Sequence, residues 1–186
     1  MNFRTRPAVS VDGRLCIWLA LLLLLFPLPW VLACIGAALI HELCHAVAIL
    51  LQNGRIYSLR ITPAGVRMEA TPLQPSGAVL AALAGPLGSA FMTILAPVFP
   101  RIAFCGAVHC LFNLLPLFPL DGGRVLQNLL LMCMPEWRAS LLFEKLQKLI
   151  RILLAVLCLT ASLRWGVMLA FAILLLLLRQ RPVRTV

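Results

Sequence analysis

The residues best suited to chemistry stand together at His41-Glu42-Leu43-Cys44-His45. On an α-helix, positions four apart lie on one face. His41 and His45 therefore present two imidazoles to a single metal ion, and Glu42 beside them is placed to hold a water on that ion. The spacing is that of the H-E-x-x-H zinc helix, in which the glutamate serves as general base. Five residues of this kind arise by accident in soluble helices, but this helix is otherwise apolar. A charged side chain at the centre of a bilayer costs about 2.5–3.5 kcal/mol even on the lenient scale. Two histidines and a glutamate in such a segment imply use.

A catalytic zinc keeps three protein ligands and one open position. The chain has six acidic residues: Asp12, Glu42, Glu69, Asp121, Glu136 and Glu144. Of these, only Glu42 and Asp121 fall well inside apolar segments. Asp121 closes the run from Asn113 through two prolines, Pro116 and Pro119, and is followed by Gly122 and Gly123. Continuous helix is not expected there, and non-helical backbone at membrane depth is tolerated where it is buried in protein or lines a wet cavity. Asp121 also suits the cap of a helix starting at Gly122, a role compatible with ligation. As the spare buried carboxylate it is the best third ligand.

The elements that must position these groups are set by composition. Of 186 residues, 62% are hydrophobic and 12% charged, against about half and a quarter in a soluble domain. The solvent for most of the chain is therefore lipid. A net charge of +10 raises nucleic acid as a partner, but the basic residues sit between apolar runs, without a basic block or an aromatic-basic platform, and no nucleic acid is expected. A spanning helix needs about 20 apolar residues. On that measure six spans are predicted, at about 14–28, 30–52, 76–98, 101–134 (broken near Pro116 and Pro119), 143–163 and 165–180. The fold class is thus all-α and polytopic, with one membrane-embedded domain over 1–186 and neither a PDZ nor a CBS domain. Between the second and third spans, Tyr57, Leu59 and Ile61 alternate with Ser58 and Arg60, and Val66 and Met68 alternate with Arg67 and Glu69. Period two around Pro63-Ala64-Gly65 predicts a short β-hairpin.

Cytoplasmic termini would put Arg4, Arg6, Arg14, Arg55, Arg60, Arg67, Arg124, Arg138, Lys145, Lys148, Arg151, Arg179, Arg181 and Arg184 inside, leaving Arg101 and Arg164 outside. That asymmetry follows the positive-inside rule. The basic N-terminus and Val31-Leu32-Ala33-Cys34 superficially suggest a cleaved leader, but the apolar pattern continues past Cys34, as for an uncleaved anchor. The seven cysteines form no C-x-x-C pair and read as small hydrophobes in packed helices. Trp18, Trp30, Trp137 and Trp165 suit interfacial anchoring.

His-Glu-x-x-His in an early span, followed by Asn113-Leu-Leu-Pro-Leu-Phe-Pro-Leu-Asp121-Gly-Gly, resembles the site-2 protease family of intramembrane zinc metalloproteases. Ala84-Gly85-Pro86-Leu87 is similar to a motif of that family's third span, and the resemblance runs over about 30–134. It implies one zinc held by His41, His45 and Asp121, Glu42 as general base, and Asn113 helping to polarise the scissile carbonyl. Two positions depart from the pattern: Cys44 stands where the family usually has Gly, and Ser89 where relatives often carry a larger polar residue. Among subgroups the run is most similar to the sporulation-type enzymes, which process a membrane-associated pro-sigma factor.

The implied activity is hydrolysis of peptide bonds in membrane-associated or transmembrane substrates, with Glu42 moving the proton. The implied partners are such a substrate, the lipid bilayer and a regulatory membrane protein. The hairpin at Gly54–Glu69 is either a strand-addition site for an unwound substrate or a plain loop. His109, one turn before Asn113, is a core histidine or a hydrogen-bonding neighbour of the site. Two other functions fit parts of the pattern: an inactive relative that binds membrane clients, and a proton or ion transporter using the buried His, Glu and Asp as a relay. All the expected catalytic groups are present, which speaks against the inactive relative, and a transport relay needs no motif at metal-ligand spacing and finds no inverted repeat to support it.

Overall fold

The computed structural model describes residues 8–63 and 65–165. These fall into two units, one ending at Cys133 and one beginning at Met134. The first opens with a strand, β1 (Ala8–Val11), and a helix, α1 (Arg14–Leu25). Phe26 leaves the helix in extended conformation because the residue before a proline is driven from the α region. Helix α2 (Leu28–Leu51) then starts with proline in its first turn, where the missing N–H had no partner to lose. Just past its end, Asn53, with a φ of 58°, turns the chain so that the Gly54 N–H donates to the Ile49 carbonyl at 3.0 Å, a left-handed helix cap.

The predicted hairpin is present as β2 (Ile56–Thr62) and β3 (Gly65–Ala70), paired antiparallel from Thr62↔Gly65 to Ile56↔Ala70 with one irregularity between Ile56 and Ser58. β1 joins it, parallel to β2 with Ala8 opposite Ser58, giving a three-stranded sheet of order β1-β2-β3. The sequence reading did not anticipate this strand: four residues carry too little alternation, and their partner lies 50 positions on. The pairing has a topological consequence. The segment before α1 and the segment after α2 meet in one sheet, so the α1–α2 pair returns the chain to the side on which it began.

Helix α3 (Pro75–Phe91) continues through a 3-10 turn, Met92–Leu95. Helices α4 (Pro100–Asn113) and α5 (Asp121–Cys133) follow, separated by the irregular stretch 114–120. In the second unit, α6 (Glu136–Trp165) is one continuous helix that begins earlier than the predicted span at 143, so the basic linker is itself helical. Among the described residues, three helices are long and apolar enough to cross a bilayer: Leu28–Leu51, Pro75–Leu95 and Glu136–Arg164. The predicted first span is a 12-residue helix, about 18 Å at 1.5 Å per residue and short of a hydrocarbon core of about 30 Å. The predicted fourth span is broken into two short helices, and almost all of the sixth, at 165–180, lies outside the described residues. The chain is thus mostly helical with a small sheet, and its apolar side chains face outward. Leu24, Leu51 and Leu163 are exposed while His41, His45, Ser89 and Asp121 are buried. That is the reverse of a soluble domain and follows from a lipid solvent.

Within the first unit α2 packs against both α3 and α4. Its contacts with α3 descend: His45 meets Ala81 and Gly85, whereas His41 meets Ser89, so the two helices are antiparallel. Its contacts with α4 ascend, from Trp30 on Phe104 to His41 on His109, so those two are parallel. Ala33, Ala37, Met92 and Cys105 form the core between them, with Ile102 packed on it.

Candidate metal centre

Four of α2's buried residues, Val31 apart, repeat at positions 33, 37, 41 and 45, one face of the helix at four-residue spacing. The last two are the histidines. Their rings meet nearly edge to face, with centroids 4.6 Å apart, and both are almost fully buried. Asp121 arrives from the first residue of α5. It reaches the histidines because the stretch 114–120 folds back on the start of that helix. A Cβ at Gly122 would strike the Leu114 and Leu115 carbonyls, and one at Gly123 would strike the backbone of Leu117 and Phe118. The paired glycines are thus a packing requirement of the carboxylate's position.

Asp121 Oδ2 stands 2.9 Å from His41 Nε2 and 3.1 Å from His45 Nε2, and the two nitrogens are 3.0 Å apart. The other ring nitrogens are held from behind. His45 Nδ1 donates to the carbonyl oxygen of Ala81 at 2.7 Å, and His41 Nδ1 lies 2.9 Å from Ser89 Oγ. Because a carbonyl only accepts, His45 carries its proton on Nδ1, and in the neutral ring Nε2 presents a lone pair. That lone pair faces a carboxylate oxygen and a second imidazole nitrogen. With the Ser89 hydroxyl accepting from His41 Nδ1, His41 Nε2 presents a lone pair as well, and in that tautomer three acceptors converge on one point, an arrangement that a bound cation relieves. A tetrahedral zinc with nitrogen and oxygen donors at about 2.0–2.1 Å keeps them about 3.3 Å apart. His41, His45 and Asp121 could hold a metal ion on this geometry, and the donor set of two imidazoles and a carboxylate suits zinc.

The remaining residues singled out from sequence are placed as follows. Glu42 projects toward the sheet, its Oε1 accepting from the Val66 N–H at 3.4 Å. Asn113 ends α4, and its amide donates to its own helix at the His109 carbonyl, 3.0 Å away. That bond goes to the helix end and not to a site residue. His109 stacks edge to face on His41, centroids 4.5 Å apart. Cys44 packs on Gly88, where a Cβ would collide with its Sγ, so the cysteine fills a helix contact as a small hydrophobe. Gly85 lies against the His45 ring and leaves no room for a Cβ. Ser89, fully buried, is the contact that sequence reasoning missed. The only signal was its departure from a larger polar residue at that position, and nothing local ties it to a histidine 48 positions earlier.

Three comparisons bear on this arrangement. No curated protein matches the chain. Among solved structures, the site-2 protease from Methanocaldococcus jannaschii shares the fold, with a TM-score of 0.62 at 19% identity over 100% of this chain and 98% of that one. The family model for peptidase family M50 matches residues 65–161. The match takes in β3, α3, α4, α5 and most of α6, including Asp121, while the His41–His45 helix lies upstream of it. A match over more than half of the chain shows that the protein belongs to peptidase family M50, the site-2 protease family of membrane-embedded metalloproteases.

Proposed function

We propose that this chain is an intramembrane zinc endopeptidase in which His41, His45 and Asp121 hold the ion, Glu42 is the general base and Asn113 assists at the scissile carbonyl. The observation that carries the reading is the convergence of three buried donor atoms within 3.1 Å of one another, with each imidazole tied down through its second nitrogen. Such outer partners fix the tautomer and aim of metal-binding histidines. When bound, zinc would supply Lewis acidity to the scissile carbonyl and acidify water near neutral pH. Glu42 then takes the proton of the attacking water and passes it to the leaving amine. Asn113 has a second amide hydrogen beyond the one given to His109, and that hydrogen is available for the oxyanion.

A helical substrate hides its scissile bond and must unwind locally. β3 is an edge strand of the sheet, and the Val66 N–H points from it toward Glu42. An extended substrate segment added to that edge runs past the general base. The clients proposed are membrane-associated or transmembrane proteins, and the Asn113–Gly123 run favours a pro-sigma factor of the sporulation type, with a regulatory membrane protein as a further partner. Arg14, Arg55, Arg60 and Arg67 lie in or beside the sheet, which supports a cytoplasmic sheet and cytoplasmic termini.

The test is metal content and cleavage together. Detergent-purified protein is expected to carry about one zinc per chain, lost in His45→Ala and in Asp121→Ala. Glu42→Gln is expected to keep the metal yet cut a co-expressed membrane client about 100-fold more slowly or worse. Little zinc in any sample, even after reconstitution, would overturn the reading.

A further inference from the structure

The α2–α4 seam carries a second pair of reactive groups. Cys34 Sγ on α2 and Cys105 Sγ on α4 are 3.0 Å apart, although 71 positions separate them in sequence. We propose that these two thiols form a reversible disulfide that staples α2 to α4. This rests on the cysteines' placement alone and holds whether or not the metal centre is a protease.

Three features of the seam support it. First, the approach is fixed at both ends. Trp30, about one turn before Cys34, packs edge to face on Phe104, the residue before Cys105, at 5.8 Å, and His41, about two turns after Cys34, packs on His109, about one turn after Cys105, at 4.5 Å. Second, Cys34 is flanked on α2 by the small residues Ala33 and Ala37, which share one apolar cluster with Cys105, Met92 and Ile102. A disulfide needs its sulfurs at about 2.03–2.05 Å, a closure of about 1 Å that side-chain rotation can supply. Third, the pairing is selective. Among the described residues Cys16, Cys44, Cys110, Cys133 and Cys158 have no thiol partner, and all seven cysteines are free.

Position sets the order of events. Cys34 lies six residues past the start of α2, about 9 Å along the axis, near the loop that precedes it, whereas Cys105 is buried. The oxidant is a low-molecular-weight disulfide. The Cys34 thiolate attacks it and releases one thiol, and the Cys105 thiolate then displaces the second from the mixed disulfide. Two cysteine thiols are oxidised to one disulfide, the oxidant is reduced to two thiols, and these carry off the two protons.

The experiment uses the purified full-length chain in detergent, incubated with oxidised or with reduced glutathione. Each sample is denatured in the presence of an alkylating agent, digested without reduction and mapped by mass. A cross-linked Cys34–Cys105 peptide is expected in most oxidised chains and none of the reduced ones. The oxidised chain is also expected to unfold at a higher temperature than the reduced one, a difference abolished by Cys34→Ser and by Cys105→Ala. Recovery of both residues as alkylated thiols after oxidation would overturn the proposal. So would Cys34 trapped as a glutathione mixed disulfide beside alkylated Cys105, or Cys105 linked to any other cysteine. The wild-type map decides the question by itself if either variant fails to fold.

Discussion

Helix α2 has two working sides, and they are held in different ways. Toward α3 the contact is made of glycines and hydrogen bonds: Gly85 under the His45 ring, Gly88 under Cys44, the Ala81 carbonyl and Ser89 hydroxyl behind the two imidazoles. Toward α4 it is made of packing: Ala33, Ala37, Met92 and Cys105, with Trp30 on Phe104 and His109 on His41. Hydrogen bonds fix direction, and small residues at a helix contact let backbones approach closely. Dispersion contacts fix proximity but are individually weak and tolerant of rearrangement. The α3 side therefore aims the imidazoles, and the α4 side contributes packing.

The largest effect should come from breaking the aim sterically. Gly85→Ala adds a methyl group where the His45 ring lies, while alanine itself favours the helix. Zinc affinity, read by competition with a chelator, is expected to fall about 100-fold, the upper end for lost ligand orientation. Retention of wild-type affinity would mean that His45 does not depend on α3. Ser89→Ala is milder, because it removes one hydrogen bond from His41 and leaves the ring in place. A loss of about tenfold in zinc affinity is expected, with thermal stability less affected than affinity. Equal losses in both would reduce Ser89 to a packing residue. The smallest effect belongs to the α4 side. Phe104→Leu removes the edge-to-face contact with Trp30, worth about 0.5–1.5 kcal/mol. It should lower the unfolding temperature while leaving zinc affinity unchanged. A large fall in metal affinity there would erase the distinction between the two sides.

The same distinction separates what was legible in the chain from what was not. The His41–His45 pair could be read directly, because residues four apart on a helix are neighbours by local geometry. Asp121 could be found by elimination, since lipid leaves few carboxylates unexplained in a chain with six acidic residues. The hairpin and the break before Asp121 were equally local, carried by period-two alternation and by proline and glycine. Helix lengths were less so. The apolar run at 14–28 suggested a span, but α1 stops at Leu25, and the linker before the span predicted at 143 is part of α6.

Tertiary structure alone decided the rest. The parallel pairing of β1 with β2, the hydrogen bond between His41 and Ser89 across 48 positions, and the meeting of Cys34 with Cys105 across 71 are contacts between distant segments, and no local pattern encodes them. The sequence by itself determined the chemistry on offer: two imidazoles and two carboxylates in an apolar chain. Folding determined their aim. A serine hydroxyl, a backbone carbonyl and the glycines that admit them have no fixed sequence distance from the groups they orient, and they act only once α2, α3 and α5 pack together.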